Sequence, residues 1–210
     1  SFIGISLGVA VLIIVMSVMN GFRSELINKI VGFNAHITIK TYDIPIDQKK
    51  LNSKNLSLIA KNIFFSNSGE AIILKNDTSK GIRLRGYKNS NFSDLEIIKN
   101  DKFSGNKSLI KNFVSIGNEL SFELDLQIGD EITLMSPSGV ETIIGNLPKQ
   151  KSFIVTSIFN SGLAEFDNNI AFINLNTLEE FFGYDVNDRN LEIYLKKPND
   201  IESQKLIVQQ

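Results

Sequence analysis

The chain opens with an apolar run in which no charged side chain occurs from Ser1 to Phe22, and Arg23 ends it. The hydrocarbon core of a bilayer, roughly 30 Å thick, needs about 20 apolar residues in a helix. The run therefore predicts a membrane-spanning helix over residues 1–23. A signal peptide is a weaker interpretation, because its shorter apolar region ends in a cleavage site of small residues. A buried helix of a soluble protein is disfavoured because the run has no polar face.

Small residues recur at a spacing of four along this predicted helix. They form two pairs, Gly4 with Gly8 and Ser17 with Gly21. This spacing lets two membrane helices approach closely. Glycine is also generally common in membrane helices, so packing and composition remain alternative interpretations.

Polar and apolar residues alternate with changing period after Arg23. A helical period continues from Ser24 to Val31, and Gly32 is expected to end it. Strict alternation predicts a strand over 35–40, and a helical pattern follows over 51–63. Further strands are predicted at 71–74, 82–85, 113–116, 131–135, 140–144, 153–159, 170–173 and 191–195, and further helices at 119–124, 176–182 and 200–208.

Two of these predictions assign faces or ends to particular side chains. In the strand over 82–85, Ile82 and Leu84 share one face, and Arg83 and Arg85 share the other, which we expect to be exposed. In the helix over 176–182, we expect Asn176 to be the cap, with Glu179 three residues later. The clustered hairpins favour an α+β fold over a doubly wound parallel sheet.

The segment over 136–150 predicts a hairpin arm. Pro137–Gly139 is a turn signal, and the chain is expected to bend at Gly145–Pro148. The apolar side chains Ile143, Ile144 and Leu147 surround that bend, and an exposed apolar cluster usually requires a covering partner. The arm either binds a partner or folds back on its own domain.

Composition excludes several kinds of chemistry. The 210 residues include 22 basic and 23 acidic side chains, a balance that argues against nucleic-acid binding by bulk charge. With no Cys and with His36 as the single imidazole, thiol catalysis and a zinc site are disfavoured. No Walker A loop is present, and no nucleophile elbow is expected, because the G-x-S-x-G spacing occurs only at Gly4–Gly8, inside the predicted membrane helix rather than at a strand-to-helix turn. We therefore expect a non-catalytic chain without cofactor or metal.

Two charged groups remain as candidate chemistry. Glu119, Glu123 and Asp125 cluster around a short predicted helix, where a solvated face is favoured over an acid–base pair. His36 begins a strand without a nominated partner, so a surface or packed histidine is favoured over a general base.

Several blocks resemble a known family. Gly4–Ala10 and Ser17–Leu26 resemble the first membrane helix of the lipoprotein-releasing ABC transporter permeases, the LolC/LolE family. The resemblance continues through Gly32 and returns along nearly the whole chain, at His36–Ile39, Gly117–Leu120, Gly129–Asp130, Ser136–Pro137, Gly145–Lys149, Phe153–Val155, Ile158–Gly162, Glu165–Asp167 and Ala171–Phe172.

The resemblance implies an organisation. It places the first transmembrane helix at 1–23 and a stalk at 24–32. A MacB-like periplasmic domain would follow, with a porter-like subdomain at 33–87 and 188–210 and an inserted β-rich, sabre-like subdomain at 88–187. The protein would be multi-pass in the bacterial inner membrane, with residues after about 23 in the periplasm. Because the sequence opens with Ser1 rather than Met, we expect a fragment or a processed chain.

The resemblance also implies partners. They are a separate LolD-like ATPase subunit, a second permease copy or paralogue, membrane lipid, acylated lipoprotein as substrate, and the periplasmic chaperone LolA. The chaperone would bind the arm at Pro137, Ile143, Ile144, Gly145, Asn146, Leu147 and Pro148, with a supporting patch at Gln150 and Lys151. No nucleic acid is expected.

Two other classes of protein remain as alternatives. A MacB- or FtsX-like permease would use the same fold to drive efflux or to control cell-wall hydrolases, and the predicted arm argues against it. A membrane-anchored enzyme or binding domain unrelated to transport is disfavoured because the sequence has no Walker A loop and no expected nucleophile elbow.

Overall fold

The computed structural model describes residues 2–41, 46, 54–76, 78–142 and 145–196. A single helix, α1, runs from Phe2 to Phe33. Its segment Phe2–Glu25 is long and apolar enough to cross a membrane, and the side chains along it are exposed. The predicted helix and its continuation past Arg23 are confirmed. The helix continues through Gly32 and ends at Phe33, so the expected end at Gly32 is wrong by one residue.

Nine strands and six short helices follow α1 in the described part of the chain. The strands are β1 Ile37–Ile39, β2 Ala60–Lys75, β3 Thr78–Tyr87, β4 Ser104–Gly105, β5 Phe113–Gly117, β6 Glu131–Thr142, β7 Gly145–Phe159, β8 Ile170–Asn174 and β9 Asn190–Leu195. The helices are α2 Lys54–Ile59, α3 Asn89–Phe92, α4 Glu96–Lys99, α5 Asn118–Glu123, α6 Ala164–Asn169 and α7 Leu175–Phe182, with a 3-10 turn at Val186–Asp188.

Six strands close into a ring in the order β2, β3, β8, β5, β7, β6 and back to β2. The β3–β8 and β5–β7 pairs are parallel, and the other four are antiparallel. Closure occurs where Leu74, Ile73 and Ile72 of β2 pair with Thr133, Leu134 and Met135 of β6. A closed ring leaves its strands without a free edge where they pair on both sides.

The first half of β2 belongs to a second, three-stranded antiparallel arrangement. Ala60–Ser66 pairs with β9, and β9 pairs on its other side with β1. The long strand β2 therefore connects this small sheet to the ring. Together with the helices, these strands confirm the predicted α+β class.

Three apolar clusters hold these layers together. The ring encloses the largest, which includes Ile73, Leu84, Ile116, Leu134 and Phe153 and is closed by side chains of α5 and α7. A second, aromatic cluster covers the outside of β3 and β8 and includes Phe33 at the end of α1. The third packs α2 on the small sheet. Apolar burial of this kind supplies most of the favourable free energy of folding.

Two predictions of helix position are wrong. The helix predicted over 51–63 is helical only at Lys54–Ile59 within the described residues, and β2 begins at Ala60. Long-range pairing with β9 outweighs the local helical pattern here, burying Phe64 on one face of the strand while Phe65 packs on the other. The cap of α7 is Asn174 rather than Asn176, because the Asn174 side chain accepts from the Asn176 N–H. The helix predicted over 200–208 lies outside the described residues.

Candidate functional site: a hairpin arm and the base of the membrane helix

The predicted arm is the outer part of the β6–β7 hairpin. Pairing of β6 with β2 ends at Met135, whereas pairing with β7 continues outward to Thr142 opposite Gly145. The register shifts between Ser136 and Val140. Beyond the ring, the arm is therefore a two-stranded ribbon that projects from the point of ring closure.

Two expected turns are parts of these strands. Pro137–Gly139 lies inside β6 at the register shift, and Gly145–Pro148 lies inside β7, so both predictions are wrong. Pro137 lies at the register shift, where the hydrogen-bond ladder between β6 and β7 is interrupted. Proline fits there because its missing N–H is not needed for strand pairing. Ile143 and Ile144, between the paired residues Thr142 and Gly145, lie outside the described residues.

The described arm side chains are well placed for contact with a partner. Leu147 is 51% exposed, and both Pro137 and Pro148 are exposed. Gln150 and Lys151 follow at the arm's root but face opposite sides of the strand. Gln150 is exposed, whereas the Lys151 ammonium lies 5.8 Å from the centre of the Phe153 ring. The structure thus brings Leu147 and the prolines together on the arm and separates the two members of the predicted patch.

The root and the middle of the arm are held by backbone contacts. Lys149 donates from its ammonium to the carbonyl of Glu180, near the C-terminal end of α7. Further out, Gly139 lies so close to β7 that a Cβ atom there would overlap the carbonyl group of Leu147. Close approach of the two strands therefore requires glycine at this position.

Replacing Gly139 by alanine is expected to splay the arm. Overlap with the Leu147 carbonyl forces the strands apart, and we expect about tenfold faster amide exchange around Leu147. Gly81→Ala in β3 is the matched control, because no atom lies within 4 Å of a Cβ placed there. Hydrogen–deuterium exchange with peptide resolution measures both. Equal protection of the arm in the two variants would contradict this account of the strand contact.

A cleft of about 460 Å³ lies beside the arm's root. Pro137 forms one wall, Glu165 and Phe166 of α6 form another, and Glu70 and Arg83 supply charges between them. The guanidinium of Arg83 and the carboxylate of Glu70 are 3.5 Å apart and largely exposed. This cleft could not be predicted from the sequence, because its walls come from strands and a helix that lie far apart in the chain.

Arg85 is buried, in contrast to the exposed face predicted for it together with Arg83. Its guanidinium donates to Glu192 at 3.1 Å, to the Tyr87 oxygen at 2.6 Å and to Asn34 at 3.3 Å. Asn34 directly follows α1, and the Phe33 ring lies 5.4 Å from the guanidinium carbon. The base of the membrane helix covers this part of the sheet. Arg85 is therefore buried, whereas Arg83 on the same face of the strand is exposed.

Glu192 is the acceptor at the centre of this buried cluster. Besides Arg85, it accepts from the hydroxyls of Ser66 at 2.6 Å, Tyr87 at 2.7 Å and Tyr194 at 3.1 Å. Burial opposes the charge of Arg85, but the neighbouring Tyr87 and Glu192 raise its pKa above the ordinary value. Burial also raises the pKa of the Tyr87 and Tyr194 hydroxyls. The cluster is thus one compensated ion pair with neutral tyrosines around it.

His36 packs against the same region, as the favoured interpretation predicted. Its Nδ1 accepts from the Leu195 N–H at 3.0 Å, and its ring meets Tyr194 edge-on at 6.1 Å. Within the described residues, its Nε2 atom is buried without a hydrogen-bond partner. Burial lowers the pKa of His36, because the charged imidazolium is disfavoured there.

The His36 contact predicts a pH dependence of folding. The pKa of His36 is lowered in the folded state, so the unfolded chain binds this proton more readily, and stability falls as the pH drops through the imidazole range. His36→Asn keeps an acceptor for Leu195 and does not titrate. We expect the wild-type free energy of unfolding to fall relative to this variant below about pH 6.5. Parallel pH profiles in chemical denaturation would contradict this role.

The acidic cluster on α5 is structural at its described contacts. Lys80 donates to Glu123 and, at 2.8 Å, to the Asn168 side chain. The hydrogen bond from Lys80 lowers the pKa of Glu123. Within the part of the chain that the structure describes, no group of three or more His, Asp or Glu side chains is arranged to hold a metal ion.

The small residues of α1 lie on an exposed helix. No atom lies within 4 Å of a Cβ placed at Gly4, Gly8 or Gly21, and Ser17 is exposed as well. These positions leave room for another helix, and their packing role stays a prediction.

The helix α1 is long and apolar enough to cross a membrane, and it is continuous with an α+β domain that carries a projecting arm. This arrangement is typical of a membrane protein with a folded extramembrane domain. The chain belongs to the family of MacB-like periplasmic core domains, whose model matches residues 1–207. This places the helix in the inner membrane and the sheet in the periplasm.

Comparisons with known proteins extend this assignment. The lipoprotein-releasing system transmembrane protein LolC of Neisseria meningitidis serogroup B is 28% identical, over 95% of this chain and 49% of its own length. LolC of Buchnera aphidicola subsp. Schizaphis graminum is 30% identical, over 98% of this chain and 52% of its own length. The predicted resemblance to the LolC/LolE family is thus confirmed. The chain spans about half the length of the curated relatives it matches.

A solved structure supports the fold alone. The periplasmic region of MacB from Actinobacillus actinomycetemcomitans superposes with a TM-score of 0.51, covering 81% of this chain and 73% of that chain, at 10% identity. This confirms the predicted MacB-like architecture.

Proposed function

We propose that this chain is part of a permease subunit of an ABC transporter that extracts acylated lipoproteins from the inner membrane and passes them to the periplasmic chaperone LolA. The observation that carries the proposal is the arm, a ribbon that leaves the closed ring and presents Leu147 and two prolines to solvent. The LolC relatives, matched over nearly the whole of this chain, support it. In the proposed organisation, residues 33–87 and 188–210 form the porter-like subdomain and residues 88–187 the sabre-like one.

The arm binds the chaperone through apolar anchors and strand edges. A protein that carries acyl chains offers an apolar surface, and Ile143, Ile144 and Leu147 are short apolar side chains suited to dock on it. The outer edges of β6 and β7 in the arm add backbone groups available for strand-type hydrogen bonds. Gln150 contributes at the exposed root, and Lys151 acts from the opposite face of the strand.

The membrane helix contacts lipid, cargo and a second permease. Its exposed apolar surface over Phe2–Glu25 suits a lipid-facing or cargo-facing wall. Gly4, Gly8, Ser17 and Gly21 allow a helix of a second permease copy or paralogue to approach closely. The chain itself is non-catalytic in this proposal, and a separate LolD-like subunit hydrolyses ATP. The resulting movement reaches the periplasm as a rigid-body change of the helices.

Site-specific crosslinking in the full-length protein tests the arm's role. A photoreactive residue at Leu147 is expected to crosslink to LolA in membranes. The matched control is Ile128, which is 47% exposed and precedes β6 at the end opposite the arm. We expect no crosslink from Ile128. Absence of a LolA adduct at Leu147, with LolA present and the protein folded, would contradict the proposal.

A further inference from the structure

The last residue of α1 is built into the folded domain, in contrast to the exposed membrane segment. The side chains from Phe2 to Glu25 are exposed, whereas Phe33 is only 5% exposed. The Phe33 ring stacks on Phe166 of α6, with centroids 4.5 Å apart and planes 13° apart. Its other aromatic neighbours include Phe159 and Phe172. The end of the helix is therefore packed among aromatic side chains of the folded domain.

Directional bonds fix the same point of the chain. Asn34, directly after the helix, accepts from Arg85 Nη1 at 3.3 Å. The second terminal nitrogen of the same guanidinium donates to Glu192 on β9 and to Tyr87 on β3. One planar group thus joins the end of α1 to two strands of the sheet. Such a fork fixes orientation as well as distance.

Stability alone does not account for this arrangement. Burying an ion pair carries a desolvation cost that often cancels its attraction, and apolar side chains of similar size frequently serve as well. Aromatic packing already surrounds the site. The distinctive property of the Arg85 cluster is its fixed geometry. Apolar contacts tolerate small shifts of one side chain past another, whereas a satisfied hydrogen-bond network holds its groups in one arrangement.

We propose that Arg85 is a positioning residue that couples the membrane helix to the periplasmic sheet. When α1 tilts or rotates, Phe33 and Asn34 move with it, and the guanidinium passes that displacement to β3 and β9. The ring that carries the arm contains β3, so the movement reaches the arm's root. The inference rests on the proposed function, in which ATP-driven helix movement has to reach the periplasm. It assigns the joint between helix and sheet to the contacts of Phe33 and Asn34 with Arg85.

Distance measurements between two spin labels test the joint without any cargo. The chain contains no Cys, so Met19→Cys on α1 and Thr78→Cys on β3 provide unique label sites in a full-length protein made free of other cysteines. In lipid nanodiscs we expect a single narrow distance distribution. Asn34→Ala removes the acceptor on the helix side while Arg85 keeps Glu192 and Tyr87. We expect the population of detached orientations to rise about tenfold, as loss of a bond to a charged group implies.

Two further variants separate coupling from folding. Arg85→Lys retains the charge but loses the fork and is expected to broaden the distribution like Asn34→Ala. Arg83→Lys is the matched control on the same strand, since the Arg83 side chain is 60% exposed, and it should leave the distribution narrow. An unchanged distribution in both Asn34→Ala and Arg85→Lys, with the protein folded, would overturn the inference.

A release assay in the same membranes distinguishes the joint from the proposed function. If Arg85 couples the helix to the sheet as proposed, Asn34→Ala is expected to retain ATP hydrolysis by the complex. Lipoprotein release should fall about tenfold. If the distance distribution broadens but the wild-type complex releases no lipoprotein, the joint stands and the proposed function fails. If release persists undiminished while the distribution broadens, the coupling role is overturned.

Discussion

Glu192→Ala is expected to lower the free energy of unfolding by about 3–5 kcal/mol, because it leaves the buried Arg85 charge without its counterion. Three hydroxyls also lose their acceptor, namely those of Ser66, Tyr87 and Tyr194. Chemical denaturation of the chain in detergent micelles, followed by circular dichroism, measures the change. A loss below about 1 kcal/mol would show that the pair is not desolvated as the structure implies.

Two comparisons isolate the cause of this destabilisation. Glu70→Ala removes the carboxylate of the exposed pair with Arg83 and is expected to change stability by no more than about 0.5 kcal/mol. The double variant Arg85→Met with Glu192→Leu removes both buried charges and should recover the part of the loss that comes from the unpaired charge, while the three hydroxyls remain without an acceptor. Recovery distinguishes an uncompensated charge from a simple loss of packing.

Charge at Ile143 and Ile144 is expected to weaken chaperone binding strongly. Ile143→Asp together with Ile144→Asp places two carboxylates where apolar anchors are proposed. Removing such anchors typically costs at least about 2 kcal/mol, so LolA affinity should fall at least about 30-fold. Titration of LolA against the full-length protein in nanodiscs measures it.

The control for the arm variant is an isoleucine-to-aspartate change elsewhere on the exposed surface. Ile128→Asp introduces one carboxylate at the opposite end of β6 and is expected to leave LolA affinity unchanged. Both variants are expected to unfold at the wild-type temperature, and a thermal melt of each checks this. Among the described residues, Ile128 lies outside the three core clusters. Binding within twofold of wild type after the double change would rule out Ile143 and Ile144 as the docking point.

The sequence predicts what local periodicity controls. Continuous apolarity is sufficient to predict α1, and short apolar or alternating runs are sufficient to locate the strands of the ring. The arm is also recognisable, since Leu147 and its prolines stand out between two strands. Its turn was misplaced because a proline and a glycine at a register shift look locally like a turn.

Long-range contacts account for what the sequence does not reveal. Arg83 and Arg85 have the same alternation and the same chemistry, yet only Arg85 lies under the end of α1. Likewise, Ala60–Ile63 has a helical pattern but becomes strand because β9 pairs with it. Ring closure between β2 and β6 also depends on segments far apart in the chain, and so does the cleft beside Pro137.

The position of β9 at the end of the described chain has a consequence for biogenesis. Every strand of the closed ring has been translated by Asn174, whereas β1 and the first half of β2 wait for Asn190–Leu195. Contacts between distant segments form late when a chain emerges from its N-terminus. During export, Arg85 therefore lacks its counterion until Glu192 arrives. The strands of the ring are thus available before β9, and the Arg85–Glu192 ion pair beneath the end of α1 is the contact that has to wait for the last described strand.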